Sequence, residues 1–274
     1  MSIQLNEKTV IVTGAAAGVG LATARIMAQR GARVMMTDDN DEKLKAECAT
    51  LAEDGLTVAA YGGKLTEKLT RANLLSATID QFERVDILIN GSREAHSADP
   101  LEPEHDGFTT MMANNVEATL RLSQLVAKRM ISQAEDLPEK PRSAGSIVNI
   151  TSIAANRTLP VLMAYSVSCA AMEQLTRAMA VSLAEHRIRV NAVSLGSVMS
   201  APLRAALKAR KDLRKEMESV TPLGRIGEAK EAADAAVFLA SNYASFITGQ
   251  ILAVDGGRSL LDPLDLPAVM DFEE

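Results

Sequence analysis

The chain has 274 residues, of which 47% are apolar and 23% charged, the composition of an ordinary globular protein with one large domain. No apolar run reaches the roughly 18 to 20 residues that a membrane helix needs, and residues 1–8 lack the basic and apolar regions of a signal peptide, so we expect a cytoplasmic protein without a membrane span. Two cysteines, Cys48 and Cys169, exclude a disulfide framework, and three histidines at no ligand-like spacing predict no metal site.

The charge distribution argues against a nucleic-acid partner. The formal net charge is −6, and the tail after Arg258 contributes five acidic residues and no basic one, so the rest of the chain is close to neutral. Aromatic residues make up 3% and tryptophan is absent, so the basic stripe and stacking side chains of nucleic-acid binding proteins are both missing. The core is expected to be aliphatic.

Short β-rich runs alternate with longer helical patterns along the chain, which predicts βαβ units and a parallel sheet. Seven strands are expected at 9–13, 33–37, 56–60, 86–90, 146–151, 188–193 and 250–254. Helices are expected near 18–30, 41–54, 66–82, 107–132, 162–185 and 228–241. The alternation predicts one doubly wound α/β domain over residues 1–258, followed by an acidic tail over residues 259–274.

An insert at about residues 197–226 interrupts the alternation and is predicted to be helical. Its position favours a lid or a substrate-specific region. Apolar residues within it, Met199, Leu203, Leu207 and Met217, suit an apolar lid, although helices also bury such residues in an ordinary core.

A glycine-rich loop follows the first strand and leads into a helix. Gly14, Gly18 and Gly20, with Val19 between the last two, allow a tight turn and a close approach of the backbone to a pyrophosphate. The helix N-terminus adds free N–H groups and a positive dipole. The order of strand, loop and helix favours a dinucleotide site over a structural turn.

Asp38 ends the second strand, 18 residues beyond Gly20, where an acidic residue can accept a hydrogen bond from an adenosine ribose. A carboxylate there repels a 2′-phosphate, and no Arg or Lys lies at residues 15–17 or 39–40 to neutralise one. The expected cofactor is therefore NAD rather than NADP. The alternative is that Asp38 only caps the next helix.

The chain contains this loop, Asn115, the segment Gly145–Ser152 and Tyr165, which follows Ser152 by 13 residues. With these features it resembles the classical short-chain dehydrogenase/reductase family. The resemblance extends from about residue 5 to residue 257. Further matching segments are Arg189–Ser194, Pro222–Gly227 and Asp255–Gly257.

The resemblance implies a Rossmann-type subunit with a seven-stranded parallel sheet, usually assembled into a homodimer or homotetramer through the two long helices. It implies that Tyr165 exchanges a proton with a small-molecule substrate while hydride passes to or from the cofactor. Ser152 would hold the substrate oxygen and Asn115 would support a water relay. Hydride transfer to a carbonyl builds negative charge on oxygen, which is why an acid and a second donor must converge there.

The chain departs from the family pattern one helical turn after the tyrosine. The family motif is Tyr-x-x-x-Lys, and this chain has Cys169 four residues after Tyr165, on the same helix face. No lysine occurs anywhere in residues 141–207. The adjacent cation that lowers a tyrosine pKa from about 10 is therefore missing. Cys169 is interpreted as a small space-filling residue rather than a reactive thiol.

Three further departures surround the cofactor position. After the fourth strand, Asn90-Gly91-Ser92-Arg93 replaces the usual Asn-Asn-Ala-Gly. After the third strand, Lys64, which precedes Leu65, replaces the usual Asp. After the sixth strand, Leu195-Gly196 replaces the usual Pro-Gly. Asn90, Gly91 and Leu65 are expected to bind the cofactor through their backbone. Lys64 or Arg93 could restore a positive charge, or both could be solvated loop cations.

The sequence thus favours an NAD-dependent oxidoreductase acting on an alcohol or ketone. A catalytically silent dinucleotide-binding or interaction subunit is the first alternative, and a non-redox lyase or isomerase on the same scaffold is the second. Hydrolase chemistry of the Gly-x-Ser-x-Gly type and a P-loop are both excluded, because neither motif is present.

Overall fold

The computed structural model describes residues 3–102, 104–105, 107–139 and 141–262. Most of the predicted acidic tail, from residue 263 onward, lies outside the described residues. The described chain contains a seven-stranded, fully parallel sheet with strand order β3-β2-β1-β4-β5-β6-β7. The strands are β1 Thr9–Thr13, β2 Arg33–Asp38, β3 Val58–Gly62, β4 Ile87–Asn90, β5 Gly145–Ser152, β6 Ile188–Leu195 and β7 Ile251–Val254.

Helices connect the strands and cover both faces of the sheet. They are α1 Gly18–Gln29, α2 Asp41–Glu53, α3 Lys68–Phe82, α4 Phe108–Met111, α5 Ala118–Glu135, α6 Met163–Leu183, α7 Ala201–Ala209, α8 Leu213–Ser219 and α9 Ala229–Ala240. This is the predicted Rossmann-type α/β fold, and its sheet contains all seven predicted strands.

Two aliphatic layers form the core, one on each face of the sheet. Along β1, Val10 and Val12 face the layer shared with α1, α2 and α9, while Ile11 faces the layer shared with α3, α5 and α6. All five residues of β1 are buried, as expected for a central parallel strand covered on both faces. The expected aliphatic core is confirmed.

The strand order reverses between β1 and β4, because the chain crosses from the β3 edge back to the far side of β1. In open α/β sheets, this reversal opens a crevice at the carboxyl ends of the strands, where ligands bind. The loops that follow β1, β2, β4 and β5 meet at this edge, and they carry the predicted site residues.

Two elements differ from their predicted form. The third strand begins at Val58, two residues later than predicted, because Leu56 N–H still donates to the Leu51 carbonyl (3.1 Å) at the end of α2. The long helix predicted at 107–132 is divided by a π-helical turn, Met112–Glu117, which contains Asn115. A π-turn often lies at a functional site.

The insert forms the short helices α7 and α8. None of the side chains described in these two helices is fully buried, so they lie against the body of the protein without entering its core. In the part of the chain that the structure describes, no helix combines the length and the apolar character needed to cross a bilayer.

Candidate active site

The glycine-rich loop between β1 and α1 is packed against the loop after β4. Gly14 has a φ of +67°, and a Cβ there would lie 2.8 Å from the Gly91 backbone. A Cβ at Gly20 would lie 2.1 Å from the Gly14 carbonyl oxygen. Thr13 ties the two loops together, since its Oγ1 accepts the N–H groups of Gly91 and Ser92, both at 3.0 Å. Glycine is therefore required at these positions.

The N-terminus of α1 is suited to an anion. The first N–H groups of a helix have no intrahelical partner. Here no side chain caps them at Ala17 and the first turn contains no acidic residue, so these groups can bind an anion. Gly18 has a φ of +56°, and a Cβ there would meet no atom within 4 Å. The space beside Gly18, which is followed by Val19 and Gly20, is therefore open, as a bound pyrophosphate requires.

Asp38 lies at the carboxyl end of β2 and faces the same loop. Its carboxylate accepts the N–H of Ala16 (3.1 Å) and the N–H of Asn40 (3.0 Å). The cap of α2 is Asn40, whose side chain accepts the N–H of Lys43, so Asp38 is not the helix cap. Partial burial, with a contribution from the neighbouring Asp39, raises the pKa of Asp38 above its ordinary value. Each carboxylate oxygen keeps a lone pair for a ribose hydroxyl.

Asn90 and Leu65, two other predicted cofactor residues, form hydrogen bonds within the protein. The Asn90 side chain is buried and donates to Ser123 Oγ (3.0 Å) and Asn149 Oδ1 (2.8 Å), so its amide joins β4 to α5 and β5. The Leu65 carbonyl accepts the Arg71 guanidinium. Gly91 directly follows β4, and the Leu65 side chain packs against the core layer shared with α3, α5 and α6. Lys64 is exposed and does not line the cavity described below.

Ser152 and Tyr165 come together at the carboxyl end of β5. Ser152 is its last residue, and the Ser152 hydroxyl accepts the Ala154 N–H (3.2 Å) and donates to the Leu195 carbonyl (3.3 Å). Tyr165 lies in the first turn of α6, and its phenol is close enough to the Ser152 hydroxyl and the Cys169 thiol for both to act on its pKa. Tyr165 is 7% exposed and Cys169 is 5% exposed. The structure thus places Ser152, Tyr165 and Cys169 near one another, and their catalytic roles stay a prediction.

Burial controls the protonation of this pair. Desolvation raises the pKa of Tyr165 above 10, and the Cys169 thiol raises it further, while Arg93 and the Ser152 hydroxyl lower it in part. Burial likewise raises the pKa of the Cys169 thiol. At neutral pH the site therefore contains a phenol and a thiol, both neutral, which agrees with the interpretation of Cys169 as a packing residue.

Asn115 lies in the π-helical turn, and its side-chain amide is hydrogen-bonded to other residues of the protein. Its Oδ1 accepts the Glu94 N–H (2.7 Å), and its Nδ2 donates to the Glu94 carbonyl (2.8 Å) and to Ser168 Oγ (3.1 Å). Both N–H bonds of the amide are thus occupied. Asn115 fixes the loop after β4 against α6, one turn from Tyr165.

Sequence reasoning missed Glu94. Its carboxylate accepts one hydrogen bond from the Asn114 amide and contacts the His96 ring, and its backbone is held by Asn115. No motif marks this residue, because its role depends on the loop conformation after β4.

A small cavity at this end of the crevice is lined by predicted site residues and by Arg93, for which the sequence left two interpretations. It is lined by, among others, Arg93, Asn115, Thr151, Tyr165 and Cys169. The Arg93 guanidinium donates to the Thr151 carbonyl (3.3 Å), next to Ser152. Of the two cations considered from the sequence, Arg93 and not Lys64 therefore reaches the site.

The residues present fit a dinucleotide. The open N-terminus of α1 would hold the pyrophosphate, Asp38 would hold the adenosine ribose, and the crevice between β1 and β4 leads to Tyr165 and Ser152. Gly14, Gly20 and Gly91 leave no room for a Cβ, so the two loops pack closely at the edge of the sheet where the cofactor would approach.

Comparisons with known proteins agree with this geometry. The family model described as enoyl-(acyl carrier protein) reductase matches residues 14–259. Galactitol 2-dehydrogenase (L-tagatose-forming) of Cereibacter sphaeroides is 34% identical over 263 residues, covering 94% of this chain and 97% of the relative. The 7alpha-hydroxysteroid dehydrogenase of Escherichia coli is 31% identical over 256 residues, covering 93% and 96%.

Solved structures are similar over the same length. A 7α-hydroxysteroid dehydrogenase complexed with NADH and 7-oxo glycochenodeoxycholic acid has a TM-score of 0.85 at 31% identity, covering 93% of this chain and 95% of that one. A gluconate 5-dehydrogenase from Burkholderia cenocepacia with NADP and tartrate has a TM-score of 0.85 at 27% identity, covering 94% and 98%. The chain belongs to the classical short-chain dehydrogenase/reductase family of NAD(P)-dependent oxidoreductases that act on alcohols and ketones.

Proposed function

We propose that this oxidoreductase uses NAD and that Tyr165 and Ser152 carry out its proton chemistry without a lysine on α6. The observation that supports the proposal is that the Tyr165 phenol lies near the Ser152 hydroxyl at the carboxyl end of β5, beside the crevice of the glycine-rich loop. A dinucleotide bound there would supply or accept the hydride.

The two side chains divide the work at the substrate oxygen. During carbonyl reduction, negative charge develops on this oxygen, and Tyr165 donates a proton to it while the Ser152 hydroxyl donates a hydrogen bond. During alcohol oxidation, the tyrosinate takes the hydroxyl proton. Because the pKa of Tyr165 is raised by burial, the phenol is the prevalent form at neutral pH, which favours the reductive direction there.

Asn115 contributes by holding the loop after β4. The hydrogen bonds to the Glu94 backbone place Arg93 and the cavity wall, and the bond to Ser168 links them to the helix of Tyr165. We assign Asn115 a supporting role, including support of a water relay through the π-helical turn that contains it.

The insert at residues 197–226 is proposed to cover the substrate. Its apolar residues Met199, Leu203, Leu207 and Met217 are half-buried, and the two helices pack without a buried side chain among those described. Half-buried apolar side chains on a loosely packed segment suit a cover that closes over a substrate better than they suit a core.

The proposed NAD preference predicts that NADH binds at least about tenfold more tightly than NADPH, since a hydrogen bond to a charged group contributes about 1.5 to 3 kcal/mol. The Asp38 carboxylate accepts ribose hydroxyls and repels a 2′-phosphate. Titration of the fluorescence of both reduced cofactors measures the ratio. Equal or tighter NADPH binding would contradict the assignment, and binding of neither would favour a catalytically silent interaction protein.

Asp38→Asn is the matched variant for this measurement. It keeps the size of the side chain and an oxygen that can accept the Ala16 N–H, but it removes the charge. The ratio of the two affinities should therefore approach one, chiefly through tighter NADPH binding. An unchanged ratio would mean that another residue of the loop distinguishes NADH from NADPH.

We also propose a homodimer or homotetramer that forms through α5 and α6. On α6, Val181 is 80% exposed and Val167 is 42% exposed, which leaves apolar side chains in solvent on the outer face of this helix. Light scattering from the purified protein measures the mass, and a monomeric mass would contradict the assembly.

A further inference from the structure

The loop after β4 is fixed on both sides of Arg93. Before it, the N–H groups of Gly91 and Ser92 both donate to Thr13 Oγ1 at 3.0 Å. After it, Glu94 exchanges two backbone hydrogen bonds with the Asn115 amide, at 2.7 and 2.8 Å. Because the backbone is held one residue away on either side, the direction in which the Arg93 side chain leaves the loop is set by the fold.

The guanidinium end of Arg93 reaches the space between β5 and α6. Its Nη1 donates to the Thr151 carbonyl (3.3 Å), and the Thr151 hydroxyl in turn donates to the Cys169 carbonyl (3.3 Å). Arg93, Tyr165 and Cys169 line the same cavity. A cation that begins on the loop after β4 is therefore brought to the helix face where the family motif has its lysine.

The charge of Arg93 is not neutralised by an ion pair with any described carboxylate within 4.0 Å. Two acidic side chains on neighbouring elements have other partners: Glu94 contacts His96 and Asn114, and Glu173 is paired with Arg177 at 3.7 Å. Arginine also remains charged at all pH values at which the protein is folded.

The surroundings of Tyr165 contain no second cation among the described residues. Cys169 on α6 opposes ionisation of the phenol, and Ser152 on β5 offers a neutral hydroxyl. Met111 on α4 and Ala154 and Ala155 after β5 pack near Tyr165 and are apolar. The other polar residues that line the cavity with Tyr165, such as Asn115 and Ser168, carry no charge. Arg93 lowers the pKa of Tyr165 and is the cation that acts on it.

We propose that Arg93 supplies, from the loop after β4, the positive charge that the Tyr165 phenol needs, in place of a lysine on α6. Arg93 acts through Tyr165 and is a positioning residue in this sense. The inference rests on the proposed function, because it concerns the tyrosine that exchanges the proton there. The family motif has glycine at the position of Arg93 and lysine at the position of Cys169, so the two departures compensate each other.

The test measures the tyrosinate fraction of Tyr165 in the absence of cofactor and substrate. The chain has three tyrosines and no tryptophan, so ring-labelled tyrosine gives three ¹³Cζ resonances, and the one lost in Tyr165→Phe is assigned to Tyr165. Wild type, Arg93→Gln and Arg93→Lys are compared at the highest pH at which circular dichroism shows all of them folded. Arg142→Gln, which removes an exposed arginine before β5, is the matched control.

We expect about tenfold less tyrosinate in Arg93→Gln at the same pH, which corresponds to a rise of about one unit in the pKa of Tyr165. This is the lower end of the range for a neighbouring opposite charge, because Arg93 is exposed and solvent screens its charge. Arg93→Lys and Arg142→Gln should stay close to wild type. An equal tyrosinate fraction in wild type and Arg93→Gln would overturn the proposal and make Arg93 a solvated loop cation.

Arg93→Met takes the place of Arg93→Gln if the amide variant unfolds at this pH, because it keeps an unbranched side-chain stem without the charge. The readout does not depend on turnover. A negative result therefore leaves the proposed reaction intact, whereas full activity of Tyr165→Phe would remove the reaction and leave the titration valid.

Discussion

Replacing Tyr165 by phenylalanine is expected to lower turnover about 10²- to 10⁴-fold, the range that positioned acid–base catalysis contributes. The variant keeps the ring that packs against Met111, Ala164 and Cys169 and removes only the hydroxyl, so the fold and NAD(H) binding should be nearly unchanged. Turnover is followed by NADH absorbance on a panel of sugar alcohols, ketoses, hydroxysteroids and simple ketones.

Tyr243→Phe is the control, because Tyr243 is 55% exposed and lies in the turn after α9, away from the crevice. It should retain full activity. If Tyr165→Phe also retains full activity, Tyr165 has no part in the mechanism, and a reaction that does not use its proton must replace the one proposed.

Replacing Cys169 by lysine is expected to raise alcohol oxidation at neutral pH about tenfold or more. The lysine places a cation one helical turn from Tyr165 and lowers the pKa of its phenol, and an opposite charge at short distance lowers a pKa by about 1 to 3 units. Cys169→Met, which is similar in length and uncharged, is the matched control and should bring no gain.

Arg93 and the new lysine would occupy the same cavity, so their effects should not add. The gain from Cys169→Lys is therefore expected to be larger in an Arg93→Gly background than in the wild type. A lysine variant that folds and binds NAD(H) but shows no gain in either background would mean that the missing cation does not limit this enzyme.

The sequence was sufficient to predict the sheet and the place of the glycine-rich loop on it. Strand, glycine loop and helix follow one another along the chain, so the loop can be located from neighbouring residues, whereas its packing against Gly91 cannot. The juxtaposition of Ser152 and Tyr165 could be predicted only through the family motif, because it depends on how α6 packs across the end of β5.

Other features required the tertiary structure. Asn90 follows the pattern of a cofactor residue, but its amide is satisfied by Ser123 and Asn149, which lie far from it in sequence. Likewise, Lys64 and Arg93 are both loop cations in the sequence, and only the hydrogen bonds that hold the backbone beside Arg93 decide which of them reaches Tyr165. Side-chain direction in a loop depends on such distant partners.

The central claim is that a buried Tyr165 with a raised pKa exchanges the proton, and the pH dependence of both reaction directions tests it most directly. Oxidation needs the tyrosinate, so its rate should rise by about tenfold per pH unit from neutrality into the alkaline range, as expected for a group titrating above pH 10. Reduction needs the phenol and should stay level near neutrality, and both should be largely lost in Tyr165→Phe. An oxidation rate that is independent of pH over this range, or no turnover in either direction, would contradict the claim.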